Sequence, residues 1–335
     1  MRLLIVTDAW RPQVNGVVRT LSMVGDELRQ RGDTVAYITP ADFRSLPCPT
    51  YPEIRLACAT PGAIAERIEA FRPTALHIAT EGPLGILARR YALRRGWPFS
   101  TSFHTRFPEY IHARARVPIR WSYALIRWFH RPAASVMVPT QTVLDDLAAR
   151  GFRNLKLWTG GVDIAQFSPG AKPGWAAALP APVMLYVGRI AVEKGLPDFL
   201  ALPCPGTKLV VGDGPARAAF EKAYPEAMFL GAKFGLELAE AYRAADVFVF
   251  PSRTDTFGLV FLEALASGTP VAAYPVMGPV DVIGSAPVGC LDPDLGRAIA
   301  EALQASPTDC RAYAERFSWA ACAERFRSFL APFGQ

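Results

Sequence analysis

Short apolar runs and longer amphipathic stretches take turns along almost the whole chain. Residues 3–7, 34–39, 75–78, 99–103, 135–138 and 155–158 are compact apolar runs of the buried-strand type. Between them, 18–29, 64–71, 82–95, 118–130 and 143–150 carry apolar residues at helical spacing, as at Val18, Leu21, Val24 and Leu28. The alternation then starts again, with strands expected at 183–187, 208–211, 228–231, 247–250 and 269–272 and helices at 236–244 and 257–266. A last helix is expected at 319–329, while 40–53 reads as proline-rich loop before a short strand at 53–57. Strands that alternate with helices in this way build parallel sheets, so the fold class is α/β. The stretch 159–173, TGGVDIAQFSPGAKP, interrupts the pattern and reads as a linker between domains at 1–158 and 174–317.

Composition agrees with a two-domain globular chain: 335 residues, 51% hydrophobic and 20% charged. Charge is distributed unevenly. Residues 1–157 hold 22 Lys and Arg against 12 Asp and Glu, and 158–335 hold 14 against 18. A basic first half implies an anionic partner or surface. The six cysteines show neither a CxxC pair nor a metal spacing and read as reduced packing residues of a cytoplasmic protein. The start of the chain, RLLIVT, reads as a strand rather than a signal sequence, and no apolar run approaches the length that crosses a bilayer.

The most informative stretch is 248–271, FVFPSRTDTFGLVFLEALASGTPV. It reads as strand, polar loop, helix and strand, with Gly268 as the helix stop. Ligands of open α/β sheets bind outside the carboxyl ends of the strands, so the loop is where chemistry is expected. The amides of Phe257, Gly258 and Leu259 open the helix and form a phosphate site. Asp255 and Glu263 flank it, and carboxylates there suit sugar hydroxyls better than phosphate. A nucleotide sugar has that combination of groups. Arg189 and Lys194, in the loop GRIAVEKG after a strand, are natural partners of a diphosphate. Gly212-Asp-Gly214 lacks the third glycine of a dinucleotide fingerprint, which disfavours hydride transfer.

A second stretch, 106–131, interleaves Arg106, Arg114, Arg116, Arg120, Arg127 and Arg131 with Tyr110, Trp121, Tyr123, Trp128 and Phe129. An amphipathic helix over 118–130, with 121, 125, 128 and 129 on its apolar side and arginines on the other, has the composition of an interfacial helix. The same pattern also fits a core helix with solvated arginines. No nucleic-acid fold signature accompanies it, so nucleic acid is not expected as a partner. The four histidines match no metal motif, and no metal or cofactor is expected.

Asp255-x7-Glu263 followed by ALASGTPV resembles the E-x7-E signature of retaining glycosyltransferases of family 4, with Asp at the first acidic position. SRTDTFG, NGVVRT at 15–20 and TEGPLG at 80–85 are similar to the subgroup of sulfoquinovosyl-diacylglycerol synthases and glycolipid mannosyl- and glucuronosyl-transferases. The resemblance implies the GT-B fold: two Rossmann-like domains facing a cleft, with a C-terminal helix, 318–335, crossing back to the first. It implies transfer of a hexose or hexuronate from a UDP- or GDP-sugar, with retention and without metal, to a membrane lipid such as diacylglycerol or ceramide. The enzyme would then be cytoplasmic and peripheral on an anionic membrane surface.

By the same resemblance, His104, Arg189, Lys194 and Asp255 are catalytic, and Gly16, Phe257, Gly258, Leu259, Glu263, Gly212 and Lys233 hold the donor. Arg19 is expected on the acceptor side. Glu81 either touches the acceptor or caps a helix. Gly160 stands where family members usually have Arg, so no binding role is expected of it. Two other readings remain: transfer to a saccharide acceptor in polysaccharide or lipopolysaccharide assembly, and a nucleotide-sugar epimerase on the same fold.

Overall fold

A computed structural model of the chain describes residues 1–11, 13, 16–48, 51–104, 118–253 and 258–334. These residues divide into two compact units, Met1–Thr159 together with the chain from Trp319 onward, and Gly160–Ser318. Residues 160–173, read above as linker, group with the second unit, where Val162 and Phe167 are buried.

In the first unit the order is β1 (Arg2–Val6), α1 (Gly16–Gln30), β2 (Thr34–Ile38), β3 (Ser45–Cys48), β4 (Tyr51–Ala57), α2 (Pro61–Phe71), β5 (Ala75–Ile78), α3 (Pro83–Arg95), β6 (Ser100–Ser102), α4 (Ile119–His130), β7 (Ser135–Val138), α5 (Gln141–Ala149) and β8 (Leu155–Leu157). Six of these strands form one parallel sheet, ordered β2-β1-β5-β6-β7-β8. Leu3 to Val6 and Ala75 to Ile78 are buried throughout, as in a sheet covered by helices on both faces. β3 and β4 pair as an antiparallel hairpin, where the sequence suggested mostly loop. Prolines 47 and 52 obscured it, because proline weighs against strand in any local reading.

In the second unit follow β9 (Val183–Val187), α6 (Leu196–Leu200), β10 (Thr207–Val211), α7 (Arg217–Ala223), β11 (Met228–Gly231), α8 (Gly235–Ala244), β12 (Val247–Phe250), α9 (Leu259–Ala266), β13 (Val271–Ala273), α10 (Pro279–Val282), β14 (Gly289–Leu291), α11 (Leu295–Ala302) and α12 (Pro307–Ala314). Its sheet is again parallel, ordered β11-β10-β9-β12-β13-β14. Tyr186, Phe199, Tyr242, Phe248 and Phe261 fill its core. Arg311 clips this unit together: its Nη1 donates to the carbonyls of Ile164, Phe167 and Ala266 at 3.0, 2.8 and 3.0 Å.

The chain ends in α13 (Trp319–Ser328), which packs on α1 in the first unit. Trp158 Nε1 donates to the Cys322 carbonyl at 3.2 Å, and Arg327 Nε to Asp33 at 2.8 Å. Both units thus have the doubly wound parallel architecture expected from the sequence.

In each sheet the first strand of the unit lies beside the strand on which the winding reverses: β1 beside β5, and β9 beside β12. The carboxyl ends of such a pair splay their loops apart and leave a crevice for ligand.

Candidate active site

In the second unit, the loop after β9 carries Arg189 and Lys194, and the loop after β12 leads into α9. Gly195 has φ +64°, and a Cβ there would lie 2.8 Å from the Pro251 carbonyl oxygen. Glycine therefore lets the two loops approach closely. Arg189 is exposed, and its guanidinium has no ion pair or hydrogen bond among the described residues. Lys194 is half-buried in the same turn. Gly258 caps α9 with extended backbone and Leu259 begins it, so their amides are among the helix's orphan donors. Asp255 and Phe257 lie outside the described residues. Glu263, one and a half turns into α9, is 2% exposed and accepts a hydrogen bond from Tyr242 Oη at 3.0 Å. A buried carboxylate held this way keeps a fixed orientation.

Arg253 stacks over the Tyr274 ring at 3.5 Å and pairs with Asp198 at 3.7 Å, which anchors the β12 loop at its start. The other two donor calls in this unit have plainer surroundings. Gly212 has φ +144°, and a Cβ there would meet the Gly188 carbonyl oxygen at 1.9 Å, so glycine is required where the chain leaves β10 beside the end of β9. Lys233 pairs with Glu237 at 3.4 Å.

In the first unit, Gly16 opens α1, Arg19 lies in its first turn, and nothing lies within 4 Å of where a Gly16 Cβ would be. At the reversal point of the sheet stands Asp8, which the sequence reading left as loop. Its carboxylate accepts from the amides of Leu84 at 2.9 Å and Gly85 at 3.3 Å and from the Thr80 hydroxyl at 2.9 Å. Asp8 thus caps α3 from the loop after β1, and burial pushes its pKa up from the usual carboxylate range. A Cβ at Gly82 would sit 2.4 Å from that carboxyl group, which explains the glycine in TEGPLG. Asp8→Ala would strand two amides and a hydroxyl. We expect it to destabilise the first unit by about 2 kcal/mol, read as a lower urea midpoint at unchanged slope.

With α3 capped by Asp8, Glu81 does not serve as its cap. Its Oε1 accepts from His130 Nε2 at 3.1 Å, and His130 Nδ1 is bonded to Thr101 Oγ1 at 2.8 Å. His104 follows β6, with its ring edge-on to Trp158 at a centroid separation of 5.9 Å. The residue is half-buried, and Nε2 is buried with no hydrogen-bond partner among the described residues. Burial, and then the neighbouring His130, lower its pKa to about 4, so the ring is neutral at physiological pH. A neutral imidazole with an unfilled nitrogen suits a sugar hydroxyl. His77, buried behind it between the hydroxyls of Ser100 and Ser102, is held well below its usual range by burial.

Of the interfacial stretch, Arg106, Arg114 and Arg116 lie outside the described residues. α4 does form, but with a different division of faces. Phe129 joins Tyr123 and Ile126 in the core, while Trp121, Leu125 and Trp128 stand 64%, 62% and 48% exposed along one stripe. Arg120 is exposed beside that stripe, and Arg127 donates to the Arg150 carbonyl at 2.6 Å. Exposed Ile86 and Leu93 of α3 extend the apolar surface. A groove of about 450 Å³ between α3 and α4 is lined by these two, Trp128, Arg89, Arg90 and Arg94. Arg89 stacks on Trp128 at 3.9 Å and donates to the last carbonyls of α4, Trp128 and Phe129, both at 2.9 Å. No helix among the described residues is long and apolar enough to cross a membrane, and no three His, Cys, Asp or Glu there cluster as a metal site.

Sequence reasoning missed Asp8, His130 and Tyr242. An Asp directly after the first strand, with a GPxG turn elsewhere, was a usable signal for Asp8. The partners of Glu81 and Glu263 are distant in sequence, at separations of 49 and 21 residues, and left no local signal.

Comparison with known proteins agrees with this geometry. Residues 14–166 match Glycosyltransferase Family 4 and residues 181–309 match Glycosyl transferases group 1. A GDP-mannose-dependent alpha-mannosyltransferase of Mycobacterium tuberculosis is 32% identical over 88% of this chain and 84% of its own. The sulfoquinovosyl transferase SQD2 of Arabidopsis thaliana is 34% identical over 76% of this chain, which spans 56% of that longer protein. An alpha-monoglucosyldiacylglycerol synthase of Streptococcus pneumoniae is 28% identical over 92% of this chain and 79% of its own. Among solved structures, a sucrose-phosphate synthase from Thermosynechococcus elongatus superposes with a TM-score of 0.79 at 22% identity, covering 98% of this chain and 97% of that one. Two doubly wound units, each with its matching segment, and a relative 32% identical over 88% of this chain identify the chain as a glycosyltransferase of the GT-B fold that belongs to glycosyltransferase family 4.

Proposed function

We propose that this enzyme moves a hexose or hexuronate from a UDP- or GDP-sugar to the hydroxyl of a membrane lipid such as diacylglycerol or ceramide, with retention and without a metal ion. The observation that carries the lipid reading is the exposed Trp121-Leu125-Trp128 stripe flanked by Arg90 and Arg94, neither of which has a carboxylate partner among the described residues. A surface that pairs apolar side chains with unpartnered arginines suits an anionic membrane, where each basic residue contributes about 1 kcal/mol. The enzyme would work on the cytoplasmic face. The names of the relatives lean the same way, since one is a sulfoquinovosyl transferase and another a monoglucosyldiacylglycerol synthase.

Arg189 and Lys194 hold the donor diphosphate, together with the amides of Phe257, Gly258 and Leu259. Glu263 takes ribose hydroxyls, Asp255 and His104 take hydroxyls of the sugar, and Gly16 lets backbone approach the diphosphate. Gly212 and Lys233 border the nucleotide. Transfer occurs on one face of the sugar. The bond from the anomeric carbon to the phosphate oxygen breaks as the acceptor oxygen attacks from the same side, and the acceptor's proton passes to the departing phosphate oxygen. Work by the protein is then positioning and electrostatic stabilisation.

The test is transfer from a panel of UDP- and GDP-sugars to diacylglycerol or ceramide in vesicles. Glycolipid from one donor establishes the reading and names the sugar. Donor binding with transfer only to soluble saccharides replaces the lipid by a saccharide acceptor, and sugar isomerisation without nucleotide release makes the protein an epimerase. For the surface itself, Arg90→Ala with Arg94→Ala should weaken binding to phosphatidylglycerol vesicles roughly thirtyfold, from about 2 kcal/mol of lost attraction. Binding to phosphatidylcholine should not change. Equal binding of variant and wild type to both vesicles would remove the membrane from the account.

A further inference from the structure

Glu81 stands at the carboxyl end of β5, on the reversal point of the first sheet, where the winding leaves room for ligand. Two carboxylates meet there, and their surroundings divide their tasks. Asp8 is buried, and its oxygens are taken by two amides and a hydroxyl. It is committed to the fold. Glu81 has one oxygen held and one available: Oε1 accepts from His130, while Oε2 has no hydrogen-bond partner among the described residues. The Glu81 side chain is 11% exposed, and that of His130 is 1% exposed. A nearly buried carboxylate with one unfilled oxygen is a strong acceptor for a donor that arrives with a ligand.

His130 fixes this arrangement. With Nε2 donating to the Glu81 carboxylate, the ring is held on its other side by Nδ1, 2.8 Å from the Thr101 hydroxyl. Thr101 is fully buried in β6, so the chain Thr101–His130–Glu81 is referenced to the sheet itself. His130 also lies on the inner face of α4, whose outer face carries the Trp121-Leu125-Trp128 stripe. One short helix therefore presents the proposed membrane surface on one side and the anchor of Glu81 on the other.

We propose that Glu81 Oε2 receives a hydrogen bond from a hydroxyl of the acceptor, that His130 is the positioning residue that aims it, and that the acceptor's reacting end is hydroxylated and uncharged. The last part follows from charge: a phosphate or carboxylate brought against Glu81, with Asp8 behind it, would meet like charge in a poorly solvated place. The proposal rests on the transferase reading above and names the substrate class that its acceptor side takes.

The experiment measures acceptor-dependent release of nucleoside diphosphate beside acceptor-free donor hydrolysis. Dioleoylglycerol in vesicles and soluble octyl glucoside are the two acceptors. Glu81→Gln should lower kcat/KM for the acceptor at least tenfold, mainly through KM, and by much more than it lowers donor hydrolysis. His130→Phe should do the same, and His130→Gln, which keeps an N–H near Nε2, should recover most of the loss. Thermal unfolding of each variant separates these effects from loss of fold. Acceptor KM unchanged in Glu81→Gln overturns the proposal and leaves the lipid reading standing. Equal loss of hydrolysis and transfer in all three variants also overturns it, because the pair would then be structural. Stimulation by octyl glucoside alone, lost in Glu81→Gln, upholds Glu81 and removes the lipid. Stimulation of the wild type by neither acceptor overturns both.

Discussion

Arg189→Ala should lower kcat a hundred- to a thousandfold and leave the melting temperature where it was. In a front-face transfer, negative charge grows on the departing diphosphate while the anomeric carbon becomes electron-poor. A cation placed in advance beside that oxygen stabilises the transition state more than the ground state. Removing one such contact costs about 2.7–4 kcal/mol by analogy with an oxyanion-hole donor. The fold should not notice the change, because the Arg189 side chain is exposed and has no partner among the described residues. What Tyr186 Oη holds, at 2.9 Å, is the Arg189 carbonyl, which alanine keeps. Arg189→Lys should restore only part of the rate, since a point charge replaces a planar fork of donors. Steady-state kinetics with the donor identified by the panel above, beside a thermal melt, checks both halves. Near-wild-type turnover in Arg189→Ala would remove the diphosphate role from this residue.

Acid should loosen the first unit well above the pH at which carboxylates titrate. His104 has a folded-state pKa of about 4 against an ordinary 6.5, lowered by burial and then by His130. His77 is held well below 6.5 by burial and then by His104. Between the two pKa values the unfolded chain binds a proton that the folded one refuses, so stability is full above pH 6.5 and falls as pH drops. For His104 the loss is about 1.4 kcal/mol per pH unit, or roughly 3.4 kcal/mol by pH 4, and His77 adds in the same direction. Urea unfolding at intervals from pH 7 to pH 4 reads this as a falling free energy, and His104→Gln should flatten the curve. A wild-type free energy that holds level between pH 6.5 and 5 would contradict the burial of both rings. The burial that lowers the His104 pKa also encloses Nε2, which has no hydrogen-bond partner among the described residues, so the proposed contact with a sugar hydroxyl would be made by an uncharged ring.

Much of the architecture was legible in the sequence because parallel strands buried on both faces leave continuous apolar runs. Val247 to Phe250 and Val183 to Val187 could be read as strands without knowing their neighbours, and every one of those residues is buried. The loops after them could be singled out for a related reason: the residues that open a helix and the cations before it are contiguous in the chain. Legibility failed where partners are far apart. Nothing near Glu81 announces His130, which α4 brings to it, and Asp8 meets Leu84 across 76 residues only because β1 and β5 lie side by side in the sheet. The α4 stripe failed differently. Trp121, Leu125, Trp128 and Phe129 are all apolar at helical spacing, and periodicity groups them on one side, but a helix about 10–12 Å across has two flanks to that side.

The sequence by itself thus determined the class of fold, the two-unit plan, the family and the order of the donor-side motifs, all of which are carried by local pattern and short-range spacing. Tertiary structure alone decided which carboxylate caps α3 and which has an oxygen without a partner among the described residues, that His77 and His104 stay neutral, and which tryptophans face out. The reason is that burial and hydrogen-bond satisfaction belong to the assembled sheet and helices, and a residue's own stretch of chain does not contain them.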